Sequence, residues 1–95
     1  MRRQLYIDIA DYPVRTHQDA IGTFWYNTDD LLESLGQETR ASLKNKRAAP
    51  FHTPARRKIL RMKHIDTRAA EWLIRQLRPD RETGFTQALY NPQPL

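Results

Sequence analysis

Residues 40–63 form a long basic run, RASLKNKRAAPFHTPARRKILRMK, with nine Lys or Arg and no Asp or Glu. Nine positive charges without an acidic neighbour repel one another, and this repulsion costs free energy in a compact state. The run nevertheless contains Ile59, Leu60 and Met62, which can anchor it to an apolar core. We therefore expect a folded basic surface rather than a free basic arm.

The rest of the charge is unevenly divided along the chain. Residues 1–38 carry three basic and seven acidic side chains, whereas residues 39–95 carry thirteen basic and four acidic ones. Such a chain has one part suited to a polyanion and one part that repels it. The sequence thus indicates a polyanionic partner for the basic part, and it leaves the acidic part as a candidate surface for a protein partner.

Composition limits the remaining possibilities. A chain of 95 residues with 39% apolar residues predicts a single domain with a modest core. The absence of cysteine excludes disulfides and thiolate metal sites, and it fits a reducing cytoplasm, where we expect the protein to work. Asp8 and Asp11 interrupt the apolar residues near the start, so we expect no signal peptide, and no apolar run is long enough to predict a membrane partner.

Alternation predicts strands in the first quarter of the chain. In QLYIDIA, residues 4–10, Leu5, Ile7 and Ile9 share one face, which is typical of a strand, and nearby Pro13 suggests either an edge strand or a strand that ends there. Residues 13–27 then predict a second strand, a turn around 19–22 and an aromatic strand over 23–26.

Cap and stop residues predict helices farther along. Residues 27–37 begin with Asn27 or Thr28 as a cap and end at Gly36. A second short helix is expected over 38–49, and a final helix over 68–78, capped by Asp66 or Thr67 and stopped by Pro79.

Two other segments complete this prediction. KILRMK, residues 58–63, alternates and predicts a short strand. Residues 84–95 contain Pro92 and Pro94 and are expected to form a loosely held tail after a domain of residues 1–83, although Phe85, Leu89 and Tyr90 could pin part of it to the core. The expected fold is a small α+β domain, winged-helix-like, with an N-terminal β-hairpin and about three helices.

The order helix, glycine turn, helix, basic loop and strand is that of a winged helix-turn-helix. WYNTDDLLESLG and RRKILRMKHIDTRAAEWLIRQL resemble the small winged-helix domains of phage excisionases and the MerR superfamily. The resemblance depends on Thr28, on Leu35-Gly36, on the basic residues 56–63 and on Trp72-Leu73. It implies duplex DNA as the partner, and a role as a phage- or mobile-element-type transcription or recombination factor.

A second resemblance covers residues 12–36. YPVRTHQDAIGTFWYNTDDLLESLG resembles the start of phage Bro-N antirepressor domains, which pass from a hairpin through an aromatic strand into a helix ending in Leu-Gly. It also implies nucleic-acid binding and phage-type regulation.

The candidate DNA contacts follow from this layout. Phosphate contacts position a protein on DNA, while contacts to base edges specify the sequence. From the turn and second helix we expect base contacts by Gln37, Thr39 and Ser42, and phosphate contacts by Arg40, Lys44, Lys46 and Arg47. From the expected wing we predict phosphate contacts by Arg56, Arg57, Lys58, Arg61 and Lys63.

Other readings of these features remain open. The same basic face could dock on an acidic protein, as an antirepressor or inhibitor would, or bind RNA. Aromatic residues 23–26 could stack on bases, although a small core favours their burial, and Trp72 is likewise expected in the core. The His-x-Asp pairs His17/Asp19 and His64/Asp66 could hold a metal, but a site needs more converging ligands, so no metal is expected. With three glycines and no nucleophile motif, neither an enzyme nor a cofactor is expected, and the oligomeric state stays open.

Overall fold

A computed structural model of the chain describes residues 3–37, 40–44 and 51–95, with Lys44 described by its backbone alone. Within these residues the strands are β1 (Arg3–Ile9), β2 (Tyr12–Gln18), β3 (Phe24–Asn27), β4 (His64–Asp66) and β5 (Gln93–Pro94). They form one antiparallel sheet in the order β4-β3-β2-β1-β5. The helices are α1 (Thr28–Ser34), α2 (Arg40–Lys44), α3 (Pro54–Arg57), α4 (Thr67–Leu77) and α5 (Glu82–Leu89), with 3-10 turns at Lys58–Arg61 and Pro79–Arg81.

This arrangement confirms the small α+β class and the N-terminal hairpin. The described part of the chain contains five helices instead of about three, because α3 and α5 occupy segments that were expected to be loop and tail. None of these helices is long and apolar enough to cross a bilayer.

One face of the sheet makes the core. Leu5, Ile7 and Ile9 are buried as the alternation of β1 predicts, and Tyr26 and Ile65 continue the same layer on β3 and β4. The buried helix residues that join this sheet face in the core are Leu31, Leu32, Leu35, Leu43, Leu60, Ala70, Leu73, Ile74 and Leu89. The protein is therefore a sheet covered by helices on its apolar face.

Of the two alternatives for β1, the strand ends before Pro13, at Ile9, and it is not an edge strand. Its far side pairs with β5, where Leu5 lies opposite Pro94 and Tyr6 opposite Gln93. A two-residue strand that contains a proline has no alternation to detect in the sequence. β1 is consequently an interior strand of the sheet.

The first three strands are joined by two tight turns, and the second of them is the turn predicted around residues 19–22. Ala10 and Asp11, between β1 and β2, have φ angles of 50° and 66°, which fit a two-residue type I′ turn. In the second turn, the Asp19 carboxylate accepts hydrogen bonds from the backbone N–H of Ile21 (3.0 Å) and Thr23 (2.9 Å). These bonds fix the turn that joins β2 to the aromatic strand β3.

Helix α1 begins and ends as its sequence predicts. The Asn27 side chain accepts from the Asp30 N–H at 3.0 Å, so Asn27 is the N-cap. At the other end, Gln37 N–H donates to the Leu32 carbonyl at 2.8 Å and Gly36 N–H to the Glu33 carbonyl at 2.9 Å. With Gly36 at φ 78°, this is a Schellman ending. For the second helix predicted over 38–49, the described part, Arg40–Lys44, is helical, and the remainder lies outside the described residues.

The predicted strand over 58–63 is wrong, since Lys58–Arg61 forms a 3-10 turn that continues α3. Thr53 caps α3, its Oγ1 accepting from the Arg56 N–H at 3.4 Å, and Pro54 occupies the first helical position, where its missing N–H costs nothing. These start signals and the burial of Leu60 prevail over the alternation of KILRMK. The strand is instead β4, so the described chain has no wing hairpin at this place.

The end of the chain also differs from the expected loose tail. The final predicted helix is present as α4, capped by the Asp66 carboxylate, which accepts from the Ala69 N–H at 3.0 Å. Residues 82–89 then form α5, whose Leu89 is fully buried, and the Tyr26 hydroxyl donates to the Leu89 carbonyl at 2.6 Å. Packing against the sheet thus extends the folded unit beyond residue 83.

Candidate nucleic-acid interface

The helical segment 54–61, with Lys63 after it, presents a row of exposed cations. Arg56, Lys58, Arg61 and Lys63 are exposed, whereas Leu60 is buried and Ile59 is half-buried. The segment therefore has an inner side that holds it to the protein and an outer side that carries charge.

Apolar contacts fix the inner side. Leu60 belongs to the core together with Leu43 of α2 and Phe51, while Ile59 and Met62 pack against that core. The 3-10 turn lies against α2 and directly follows α3. The described part of the basic run is thus a folded surface, anchored by the residues that the sequence suggested.

The exposed cations of this segment have no acidic partner among the described residues. Ion pairs between described residues join Arg15 to Asp30, Arg40 to Asp29, Arg75 to Glu82, and both Arg78 and Arg81 to Asp80. None of these pairs includes Arg56, Lys58, Arg61 or Lys63, and the sequence has no acidic residue from 39 to 65. These four exposed charges therefore repel one another, and they create a positive potential over this surface.

Arg56 has an aromatic partner instead. Its Cζ lies 5.1 Å from the centroid of the Trp72 ring, a cation–π distance. Trp72 is half-buried, and Phe51 packs edge-on against it with ring centroids 6.0 Å apart at 73°. The contact joins α3 to α4 and limits the positions that the Arg56 guanidinium can take.

Lys63 is positioned by the sheet. Its carbonyl accepts from the Thr28 N–H at 2.9 Å, which continues the β3–β4 ladder one step beyond the Asn27–His64 pair. The side chain of Lys63 is exposed at this end of the sheet, close to the start of α1. The basic row thus runs from α3 to the edge strand β4.

The candidates on the second helix are placed differently from those at 56–63. The Arg40 N–H and Nε both donate to Asp29 Oδ1, at 3.0 and 3.2 Å, which holds the start of α2 to the start of α1. Arg40, for which a phosphate contact from the second helix is predicted, is thus engaged with Asp29 in this structure. Gln37 and Ser42 are half-buried, and Arg57 is half-buried on α3. Thr39, Lys46, Arg47 and the Lys44 side chain lie outside the described residues.

The acidic residues of α1 are occupied by neighbouring groups. Asp30 accepts three hydrogen bonds from Arg15: from Nε at 2.7 Å, Nη2 at 2.9 Å and the backbone N–H at 3.0 Å. Burial alone would raise the pKa of Asp30, but these bonds outweigh it, so that its pKa lies below the ordinary value. Glu33 accepts from the Tyr12 hydroxyl. Part of the acidic charge near residue 30 is thus neutralised within the protein.

The two His-x-Asp pairs have structural roles in the fold. The rings of His17 and His64 meet edge-to-face with centroids 4.9 Å apart. Asp19 holds its turn and also accepts from the Trp25 Nε1 at 2.9 Å, while Asp66 caps α4. Within the described ranges, no group of three or more His, Cys, Asp or Glu side chains could hold a metal ion.

The aromatic strand β3 contributes chiefly to the core. Tyr26 is fully buried and Phe24 packs against the core, whereas Trp25 is half-buried. The preference for burial over base stacking at 23–26 is therefore confirmed for Tyr26 and Phe24.

Two residues beside the basic row are absent from the predicted site. Trp72 was assigned to the core, yet it supports an exposed cation of another helix. Arg68 is exposed on α4 one turn before Trp72, and residues four apart are neighbours on a helix surface. The i, i+4 spacing of Arg68 and Trp72 could have indicated that these two side chains are neighbours on α4. The contact of Trp72 with Arg56 has no such signal in the sequence. No protein-family model, curated protein or solved structure matches the chain.

Proposed function

We propose that this protein is a cytoplasmic double-stranded-DNA-binding accessory factor that holds DNA phosphates with residues 56–63. The single observation that carries the proposal is the exposed cation row of that segment, for which no described acidic residue forms an ion pair. A surface that serves only solubility intersperses both signs of charge. A polyanion removes the repulsion within the row, and duplex DNA is a polyanion with regularly spaced charges.

The spacing of two of the cations supports a phosphate contact. Lys58 and Arg61 are three residues apart in a 3-10 turn, where side chains at i and i+3 lie on the same side. Three residues of 3-10 helix rise about 6 Å. Successive phosphates of one DNA strand advance about 3.4 Å each along the helix axis. The two side chains can therefore reach phosphates one or two steps apart on one strand.

Sequence discrimination is proposed for the turn and α2. The Schellman ending of α1 makes a tight turn at Gly36, and the bonds from Arg40 to Asp29 hold the start of α2. A fixed angle between two helices is what a helix-turn-helix needs in order to present its second helix. Gln37, Thr39 and Ser42 remain the proposed base contacts. The role in transcription or recombination rests on the resemblance of residues 25–78 to phage excisionase and MerR-superfamily domains.

The proposal is tested by the anisotropy of a labelled random-sequence duplex at about 100 mM salt, where the Debye length is about 10 Å. Arg61→Glu should weaken binding roughly tenfold or more, because it replaces a phosphate contact by a repulsion. Arg81→Glu makes the same change of charge on the 3-10 turn before α5, and its binding should stay within about twofold of the wild type.

Two results would contradict DNA as the partner. One is the absence of duplex binding by the wild-type protein. The other is displacement of the duplex by polyglutamate at an equal concentration of charge, which would instead favour an acidic protein partner. Equal loss in the two variants would show that the contact is not made by the 56–63 segment.

A further inference from the structure

Trp72 and Phe51 form a fixed aromatic support next to the basic row. Phe51 is almost fully buried, at 2% exposure, and meets the Trp72 ring edge-on at 6.0 Å. Trp72 belongs to α4, whose Ala70, Leu73 and Ile74 are fully buried. The indole is therefore held by the core on one side, while half of its environment remains open.

Arg56 extends this support outward. Its guanidinium lies over the Trp72 ring at 5.1 Å, and the residue is exposed. A guanidinium held against an aromatic ring loses less side-chain freedom when it binds a second flat group. The order from the core to solvent is thus Phe51, Trp72 and Arg56.

A further cation lies next to this stack on the helix surface. Arg68 is exposed one turn before Trp72 on α4, where residues four apart are neighbours, and no ion pair between described residues includes it. A flat group placed on the stack would therefore lie near the positive charges of Arg56 and Arg68, which suits a nucleotide with its phosphates.

We infer that Arg56 and Trp72 form a stacking site for an unpaired nucleobase. Nucleobases stack on aromatic rings and on arginine guanidinium planes, but in a duplex both faces of a base are already covered by its neighbours. The site contributes affinity only where a base is unstacked, as in a bulge, a gap or a melted step. The preferred ligand is thus duplex DNA that carries an unpaired nucleotide; this inference rests on the proposed DNA binding by the same segment.

The experiment compares three labelled probes of one sequence. They are a fully paired duplex, the same duplex with a bulge of three thymidines, and the same duplex with a bulge of three abasic nucleotides, which keeps the added phosphates and removes the bases. The thymidine bulge should bind about fivefold or more tightly than the abasic bulge for one stacked base. Charge cannot cause this difference, because the two bulges carry equal charge.

Two variants assign the difference to the stack. Arg56→Lys keeps the charge but lacks the planar group, so the preference for thymidine over abasic bulges should disappear. Lys58→Ala should weaken binding to all three probes alike and leave the preference intact. In a Trp25→Phe background, Trp72 is the remaining tryptophan, and its emission should change with the thymidine bulge alone.

The outcomes separate this inference from the proposed function. Binding to the paired duplex with no preference between the two bulges would overturn the stacking site and leave DNA binding standing. A preference that persists in Arg56→Lys would overturn the role of Arg56. A wild-type protein that binds none of the probes would overturn both the inference and the proposed function.

Discussion

Asp30 shows how one side chain closes an open strand edge. β2 pairs with β3 at residues 16–18, and β3 ends at Asn27. Beyond this point the Arg15 N–H has no strand partner and donates to Asp30 of α1, which also binds the Arg15 guanidinium. The Asp30 carboxylate is only 13% exposed, whereas the Arg15 side chain is 71% exposed. Asp30 thus joins the start of α1 to the sheet.

We expect Asp30→Asn to lower the free energy of unfolding at pH 7 by about 1 kcal/mol, because the pair is partly exposed to solvent. The pKa of Asp30 is lower in the folded protein than in the unfolded chain, since the bonds from Arg15 outweigh the cost of burial. Its contribution is therefore complete above the unfolded value of about 4, and it is lost as the pH falls through the lower folded pKa.

The measurement is urea unfolding of both proteins at several values of pH. The difference between wild type and Asp30→Asn should be constant from about pH 7 to pH 5 and should shrink below about pH 4. Asp8→Asn, a change of equal charge at an exposed position of β1, serves as the control. A difference that persists undiminished at the acidic end would show that the Asp30 carboxylate is not responsible.

Among the secondary-structure elements, α5 gives the sharpest test because it replaces an expected tail. Leu89 is fully buried and Leu95 is 78% exposed, although both belong to the last seven residues of the sequence. Leu89→Ala should lower the free energy of unfolding by about 2–5 kcal/mol, since it leaves a cavity in the core. Leu95→Ala should change it by less than about 0.5 kcal/mol. The measurement is thermal unfolding. If both substitutions lower the free energy of unfolding by the same small amount, residues 84–95 form a loosely held tail.

Local signals in the sequence were sufficient for the elements that carry them. The alternation of Leu5, Ile7 and Ile9 predicted β1, and the caps Asn27 and Asp66 predicted α1 and α4. α5 has no side-chain cap, because Arg81 makes no capping bond, and it contains Gly84. A short helix of this kind is stabilised by tertiary packing, and tertiary packing cannot be predicted from the local sequence pattern.

The strand prediction for residues 58–63 was wrong for a different reason, because two sequence patterns compete there. Alternation favoured a strand, while Thr53 and Pro54 favoured a helix start, and the burial of Leu60 fits the helical choice. The candidate site was also predictable only in part. Its charge was visible in the sequence, but the bonds between Arg40 and Asp29 and the contact of Arg56 with Trp72 join residues 11 and 16 positions apart. Contacts across such separations have no local signature.

At the scale of the whole molecule, the acidic part and the basic part of the sequence differ in how many of their charges form ion pairs. In residues 3–37 the carboxylates Asp29 and Asp30 are paired with Arg40 and Arg15. The exposed cations Arg56, Lys58, Arg61 and Lys63 have no such partner among the described residues, so they create a positive potential over that segment. The central claim is that this field is there to hold nucleic-acid phosphates.

The most direct test of this claim is the salt dependence of binding to a random-sequence duplex. Each phosphate contact adds about −0.9 to the slope of log K against log salt, so the wild-type slope should be about −3 to −4 for the four exposed cations of 56–63. The triple variant Lys58→Ala, Arg61→Ala and Lys63→Ala should lose about 2.7 of that slope. The control triple Arg75→Ala, Arg78→Ala and Arg81→Ala removes the same charge from paired arginines and should keep the wild-type slope. A wild-type slope near zero, or an equal loss in both triple variants, would contradict the account.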